Sequence, residues 1–220
     1  MAIWEDVGST YVEAATSALP LHRLFVFVAG FSGALAIQSQ THLSIIESII
    51  HVPLTEIANV SSGPLSKATV AELFAGIAAV VVGWMLHRLT IRCTFSLAAN
   101  ATNLWDRVSG SISVNKPDPK LPLDDRKTSM ELIDISLEEP RGQLRKLSAT
   151  AELLIGLAIP LVVVSYWGNI LDFIIGVSFS LAAIGCQITS VRVFLRDYFG
   201  PALYKAQLIG KRAPGAANIS

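Results

Sequence analysis

Charge is scarce in this chain: Asp, Glu, Lys and Arg make up 15% of the 220 residues, against 52% apolar residues. A soluble domain carries about 25% charge. The deficit, together with a mean hydropathy of +0.53, indicates lipid rather than water as the main solvent. Basic and acidic residues balance at 17 each, so the chain has no overall positive field that would favour a direct nucleic-acid partner.

Cysteines and recognisable catalytic motifs are also lacking. Cys93 and Cys186 are the only cysteines, and their spacing is not that of a metal site, so we interpret both as small, reduced packing residues. The four histidines are scattered, and the sequence has no phosphate-binding glycine loop or nucleophile motif. The sequence therefore predicts no enzyme activity, no metal and no cofactor.

Long apolar runs are what the sequence does contain. Four of them approach the roughly 20 residues that a helix needs to cross a bilayer. They are residues 24–42, residues 69–87 and two helices within 153–191. The last region holds one charge, Asp172, and divides at Gly168-Asn169.

The distribution of basic residues orients these four predicted spans. Segment 88–148 carries ten Lys and Arg, and five more follow from Arg192 onward, whereas 43–67 carries only Lys67. The positive-inside rule then places both termini and segment 88–148 in the cytoplasm.

The predicted fold is an all-α integral membrane protein with four transmembrane helices arranged as two hairpins. The predicted divisions are an amphipathic segment (1–23), a first hairpin (24–87) with an outer loop (43–67), a partly ordered helical cytoplasmic loop (88–148), a second hairpin with a helical extension (149–199), and a cytoplasmic tail (200–220).

Small residues at four-residue steps are the clearest packing signal. Such spacing makes a smooth ridge along a helix, which lets a second helix approach closely. The ridge of the second span and its predicted partner positions on the first are Ala71, Ala75, Ala79, Gly83, Ala29 and Gly33. Thr69 and Glu72 are spaced as a capping box at the start of the second span.

The fourth span carries small and polar residues at the same step, with Gln187 beside them. They are Ser178, Ala182, Cys186 and Ser190. Such a stripe suits hydrogen bonding between packed helices or, alternatively, the wall of a wet pore.

The cytoplasmic loop is the predicted binding region, because it has mixed charge and some helical periodicity. Residues 128–139 form a predicted helix that Pro140-Arg141-Gly142 breaks. The candidate partner-binding residues are Trp105, Arg107, Arg126, Lys127, Arg141, Arg145 and Lys146.

Both ends of the chain contain aromatic residues typical of a membrane interface. Tyr11 lies in an amphipathic segment (3–19) that we expect at the bilayer surface. Tyr198 and Phe199 are expected there too, at the end of a helix that stops at Gly200-Pro201.

Two functions fit this architecture better than an enzyme does. The first is a scaffold or regulator that binds a cytoplasmic or membrane protein partner, as in toxin-immunity, exclusion or phage-defence components of the bacterial inner membrane. The second is a homo-oligomeric channel or pore. In both cases the lipid bilayer is the surrounding medium and self-association is expected.

Overall fold

The computed structural model describes residues 10–15, 21–38, 69–100, 123–165 and 170–209. These ranges are helical almost throughout and contain no strand, which confirms the all-α class for this part of the chain. Besides a helical segment at residues 10–15, the elements are α1 (His22–Gln38), α2 (Val70–Asn100), α3 (Leu123–Ser165), α4 (Ile170–Val193), a π-helical segment (Phe194–Tyr198) and α5 (Phe199–Leu208).

Within the described ranges, three helical stretches are long and apolar enough to cross a membrane. They are Val70–Phe95, Lys127–Ser165 and Ile170–Ala206. They expose large apolar side chains such as Phe74, Met85 and Leu181, which suggests a lipid environment. The apolar stretch of α1, His22–Leu35, is shorter, so the first of the four predicted spans remains a prediction.

The long helices extend well beyond a bilayer core. With 43 residues, α3 is about 64 Å long at a rise of 1.5 Å per residue, against a hydrocarbon thickness of about 30 Å. The first half of α3 carries most of its charge, so lipid can surround only the second half.

The prediction that Pro140-Arg141-Gly142 breaks a helix is wrong, because α3 runs through all three residues. A proline removes one backbone hydrogen bond from a helix. Here Leu137 and Leu144, on either side of it, are both buried in one core. Their packing holds the helix together across the missing bond, as tertiary contacts commonly override local propensity.

The predicted helix end at Gly200-Pro201 is also wrong, since α5 continues to Leu208. Pro201 is the third residue of α5 and follows the π-helical segment. α4, the π-helical segment and α5 follow one another without a break, so the helix runs through Pro201, and the change of hydrogen-bond register in the π-helical segment lies directly before it. Burial of Leu203 and Leu208 then favours continuation.

The chain divides into two compact units. One, here called the apolar unit, comprises Leu19–Arg88 and Thr150–Gly185; the other, the aromatic unit, comprises Met1–Ala18, Leu89–Ala149 and Cys186–Ser220.

Glycines set the helix spacing in the apolar unit. A Cβ built on Gly76 of α2 would lie 2.7 Å from the Phe27 ring, and one on Gly156 of α3 would lie 2.4 Å from Val26. The two glycines therefore meet neighbouring side chains of α1, which approaches both helices too closely to leave room for larger residues. At the start of α2, the Glu72 carboxylate accepts a hydrogen bond from the Thr69 backbone N–H, which is one of the two bonds of the predicted capping box, and another from the Thr69 hydroxyl.

The aromatic unit has a core of its own. Phe95 and Phe194 both pack edge-on against Tyr11. Tyr198, the last residue of the π-helical segment, and Phe199, the first residue of α5, both pack against the ring of Phe194. Tyr11, Tyr198 and Phe199, which the sequence predicts at the bilayer surface, are all buried, so their rings contact protein.

We expect Gly30→Ala to destabilise the apolar unit by about 1–3 kcal/mol, the usual cost of overpacking. A Cβ on Gly30 would lie 2.6 Å from the Cβ of Ala79 and 3.3 Å from the α2 backbone. Gly185→Ala is the matched control, because a Cβ there has nothing within 4 Å. Thermal unfolding in detergent measures both, and equal midpoints would contradict the packing described here.

Candidate functional site

Glu152 is the centre of an ionic cluster in the apolar unit. Arg23 Nε donates to one carboxylate oxygen at 2.6 Å. His22 Nε2 lies 3.3 Å from the other. The Glu152 side chain is only 12% exposed, so the Arg23 guanidinium compensates the cost of removing its charge from water. The cluster thereby ties the start of α1 to α3.

His87 of α2 extends this cluster. It is buried and lies within electrostatic range of Glu152, His22 and Arg23. The guanidinium carbon of the next residue, Arg88, lies over the Trp84 ring, 4.4 Å from the ring centre, in cation–π geometry. Trp84, Arg23 and Glu152 also line one narrow crevice.

A buried hydrogen-bond network lies within the aromatic unit. The Tyr11 hydroxyl is 2.7 Å from Ser190 Oγ, and Gln187 Nε2 donates to the same hydroxyl at 3.2 Å. Burial raises the pKa of Tyr11 above its usual 10.0, although the bonds to Ser190, Gln187 and Ser148 act in the opposite direction. The phenol therefore stays protonated at physiological pH and can donate to Ser190 while it accepts from Gln187.

The structure brings together part of the predicted small-residue ridge. Ala79 and Gly83 of α2 are buried, as are Ala29 and Gly33 of α1, whereas Ala75 is half-buried and Ala71 is exposed. A four-residue step advances about 400° around a helix, so the ridge rotates by about 40° at each step. Ala71 consequently lies about 120° from Gly83, on another side of α2.

The predicted polar stripe of α4 is divided for the same reason. Ser178 and Ala182 are exposed and Cys186 is half-buried, while Gln187 and Ser190 are buried around Tyr11. The Ser178 hydroxyl donates to the carbonyl oxygen of Ile174 one turn earlier. The stripe therefore does not form one continuous face.

All described members of the predicted partner-binding set lie on α3. Lys127, Arg145 and Lys146 are exposed, and so is Arg141, although its guanidinium reaches the Tyr198 hydroxyl at 3.4 Å. Arg126 also belongs to α3. Trp105 and Arg107 lie outside the described residues.

Metal-ligand clusters are absent from the described ranges, where no group of three or more His, Cys, Asp or Glu is placed to hold an ion. Cys93 is exposed, Cys186 is half-buried, and both thiols are free. A packing role therefore fits Cys186 better than Cys93.

The sequence analysis named Gln187 and Ser190 as candidates for hydrogen bonds between helices, but it did not identify Tyr11 as their partner or pair Arg23 with Glu152. Arg23 and Glu152 are 129 residues apart and Tyr11 and Ser190 are 179 apart, so no local spacing connects either pair. One signal was available for the first pair: each charge adjoins the start of an apolar run, and parallel spans would bring the two charges together.

Glu152→Gln should lower the free energy of unfolding by about 1–3 kcal/mol, because it leaves a poorly solvated cation without its counter-ion. Glu131→Gln is a matched control on the same helix, since Glu131 is exposed. Thermal or denaturant unfolding in detergent measures the difference. If both variants unfold like the unmodified protein, the ion pair has no structural role.

The chain matches no protein-family model, no curated protein and no solved structure. Its function is therefore argued from its own residues.

Proposed function

We propose that the chain is a non-enzymatic, multi-pass membrane protein that acts as a scaffold or regulator and binds a protein partner through α3. In this proposal the four apolar stretches all cross the bilayer, and both termini and segment 88–148 are cytoplasmic. A bacterial inner membrane suits such an architecture, and toxin-immunity, exclusion and phage-defence components are the classes of protein that it resembles in size.

An exposed mixed surface on α3 is the observation that carries this proposal. Leu132 and Ile135 are 64% and 69% exposed, one helical turn apart. Exposed charged residues flank them on the same helix: Lys127, Glu131, Glu138, Glu139, Arg145 and Lys146. Apolar anchors with a charged rim are the usual composition of a protein interface. The rim charges would steer a partner and fix its orientation.

The surface is held rigidly, which favours binding. On the opposite side of α3, Leu137 and Leu144 are buried in the aromatic core. Asp134 is paired with Lys205 of α5. A preorganised surface loses little conformational entropy on association, so more of the contact energy remains as affinity.

Site-specific photocrosslinking in membranes of the native host tests the proposal. A photoreactive residue at Ile135 or Lys146 is expected to capture a discrete protein, which mass spectrometry identifies. Leu181 of α4 is the control, since it is 65% exposed but belongs to the apolar unit. The proposal is wrong if the two α3 positions capture no protein, or only the protein that Leu181 captures.

A homo-oligomeric channel is the second candidate. Its support is a small-residue face on α4, where Ser178 and Ala182 are exposed and a Cβ on Gly185 would meet open space. Small exposed residues permit close packing between copies. Ion conductance of purified oligomer in planar bilayers distinguishes the two functions, because a scaffold conducts nothing.

A further inference from the structure

The end of the apolar unit that carries Arg23, Trp84 and Arg88 has an excess of positive charge. Arg23 uses its Nε to bind the carboxylate of Glu152, and Arg88 adds a second guanidinium group over the Trp84 ring. The formal charges of Arg23, Arg88 and Glu152 sum to +1. A bound anion would neutralise this net positive charge.

Arg88 is presented for binding. Its guanidinium stacks on the Trp84 ring through its flat face. The side chain is exposed, and its N–H groups make no hydrogen bond to any residue in the described ranges. Stacking leaves the N–H donors around the edge of the group free, and that planar arrangement matches the oxygens of a phosphate.

Exposed apolar side chains adjoin this cation on α2. Met85, one turn before Arg88, is 59% exposed, and Val81, two turns before it, is 46% exposed. Tryptophan favours the headgroup level of a bilayer, and arginine next to an apolar span is attracted to anionic lipid. The same face of α2 therefore offers contacts to a phosphate and to an acyl chain.

We infer that Arg88, in cation–π contact with Trp84, binds the phosphate of an anionic phospholipid headgroup. Arg88 supplies the charge-assisted hydrogen bonds, Trp84 fixes its orientation, and the apolar side chains of α2 receive the acyl chain. This lipid site is independent of the protein partner proposed for α3, since every residue in it belongs to the apolar unit.

Lipid retention by the purified full-length protein tests the site. The protein is reconstituted with phosphatidylcholine and phosphatidylglycerol in equal amounts, extracted in mild detergent, and examined by native mass spectrometry. We expect phosphatidylglycerol to be retained about fivefold over phosphatidylcholine, the preference that one basic residue at a membrane surface provides. Equal retention of the two lipids would overturn the inference, whatever the variants show.

Arg88→Gln should abolish this preference, and Arg88→Lys should keep only part of it, because an ammonium group cannot stack or bind in a forked geometry. Arg145→Gln, an exposed arginine on α3, should retain the full preference. Arg88 is exposed, so its replacement leaves the packing of the unit unchanged. An unchanged preference in Arg88→Gln would assign the lipid to another surface.

Inorganic phosphate added during extraction separates a lipid site from a site for free phosphate. A lipid site also holds the acyl chain, so phosphatidylglycerol should remain bound. Its complete displacement by phosphate would show that the site recognises the anion alone, and the lipid assignment would then be wrong.

Discussion

The close approach of α1 to α2 and α3 is the contact on which the apolar unit depends. Gly76 and Gly156 lie against Phe27 and Val26, so that consecutive side chains of α1 occupy the space that two missing Cβ atoms leave. In lipid, burying apolar surface gains little, and helices associate mainly through close packing and a few polar contacts. A larger side chain at either glycine would therefore push α1 away, unless the facing side chain of α1 is shortened at the same time.

The ionic cluster fixes the register of α1 against α3. Small residues allow two helices to slide along one another, but the pair between Arg23 and Glu152 forms in only one register of α1 against α3. The cluster also leaves positive charge at this end of the unit, with Arg88 stacked on Trp84. Packing and charge thus act together: glycines set the distance, and the ion pair sets the register.

The helical class and the main apolar runs could be predicted from the sequence, because period, length and charge are local properties. The identity of the buried faces could be predicted only in part. Ala79 and Gly83 are buried, but Ala71 and Ser178 are exposed because a strict four-residue step drifts around the helix. The helix through Pro140 and the buried Tyr11 depend on contacts between distant segments, which no local pattern contains.

Disulfide trapping of α1 against α3 tests the central contact most directly. In a background with Cys93→Ala and Cys186→Ala, the pair Val26→Cys and Gly156→Cys should cross-link readily in native membranes, since the two Cβ positions lie 3.2 Å apart, close to the disulfide range of about 3.5–4.5 Å. Phe25→Cys with Gly156→Cys is the control, because Phe25 is exposed. A cross-link in the first pair and not in the second is expected. Equal cross-linking of both pairs, or of neither, would contradict the packing of α1 against Gly156.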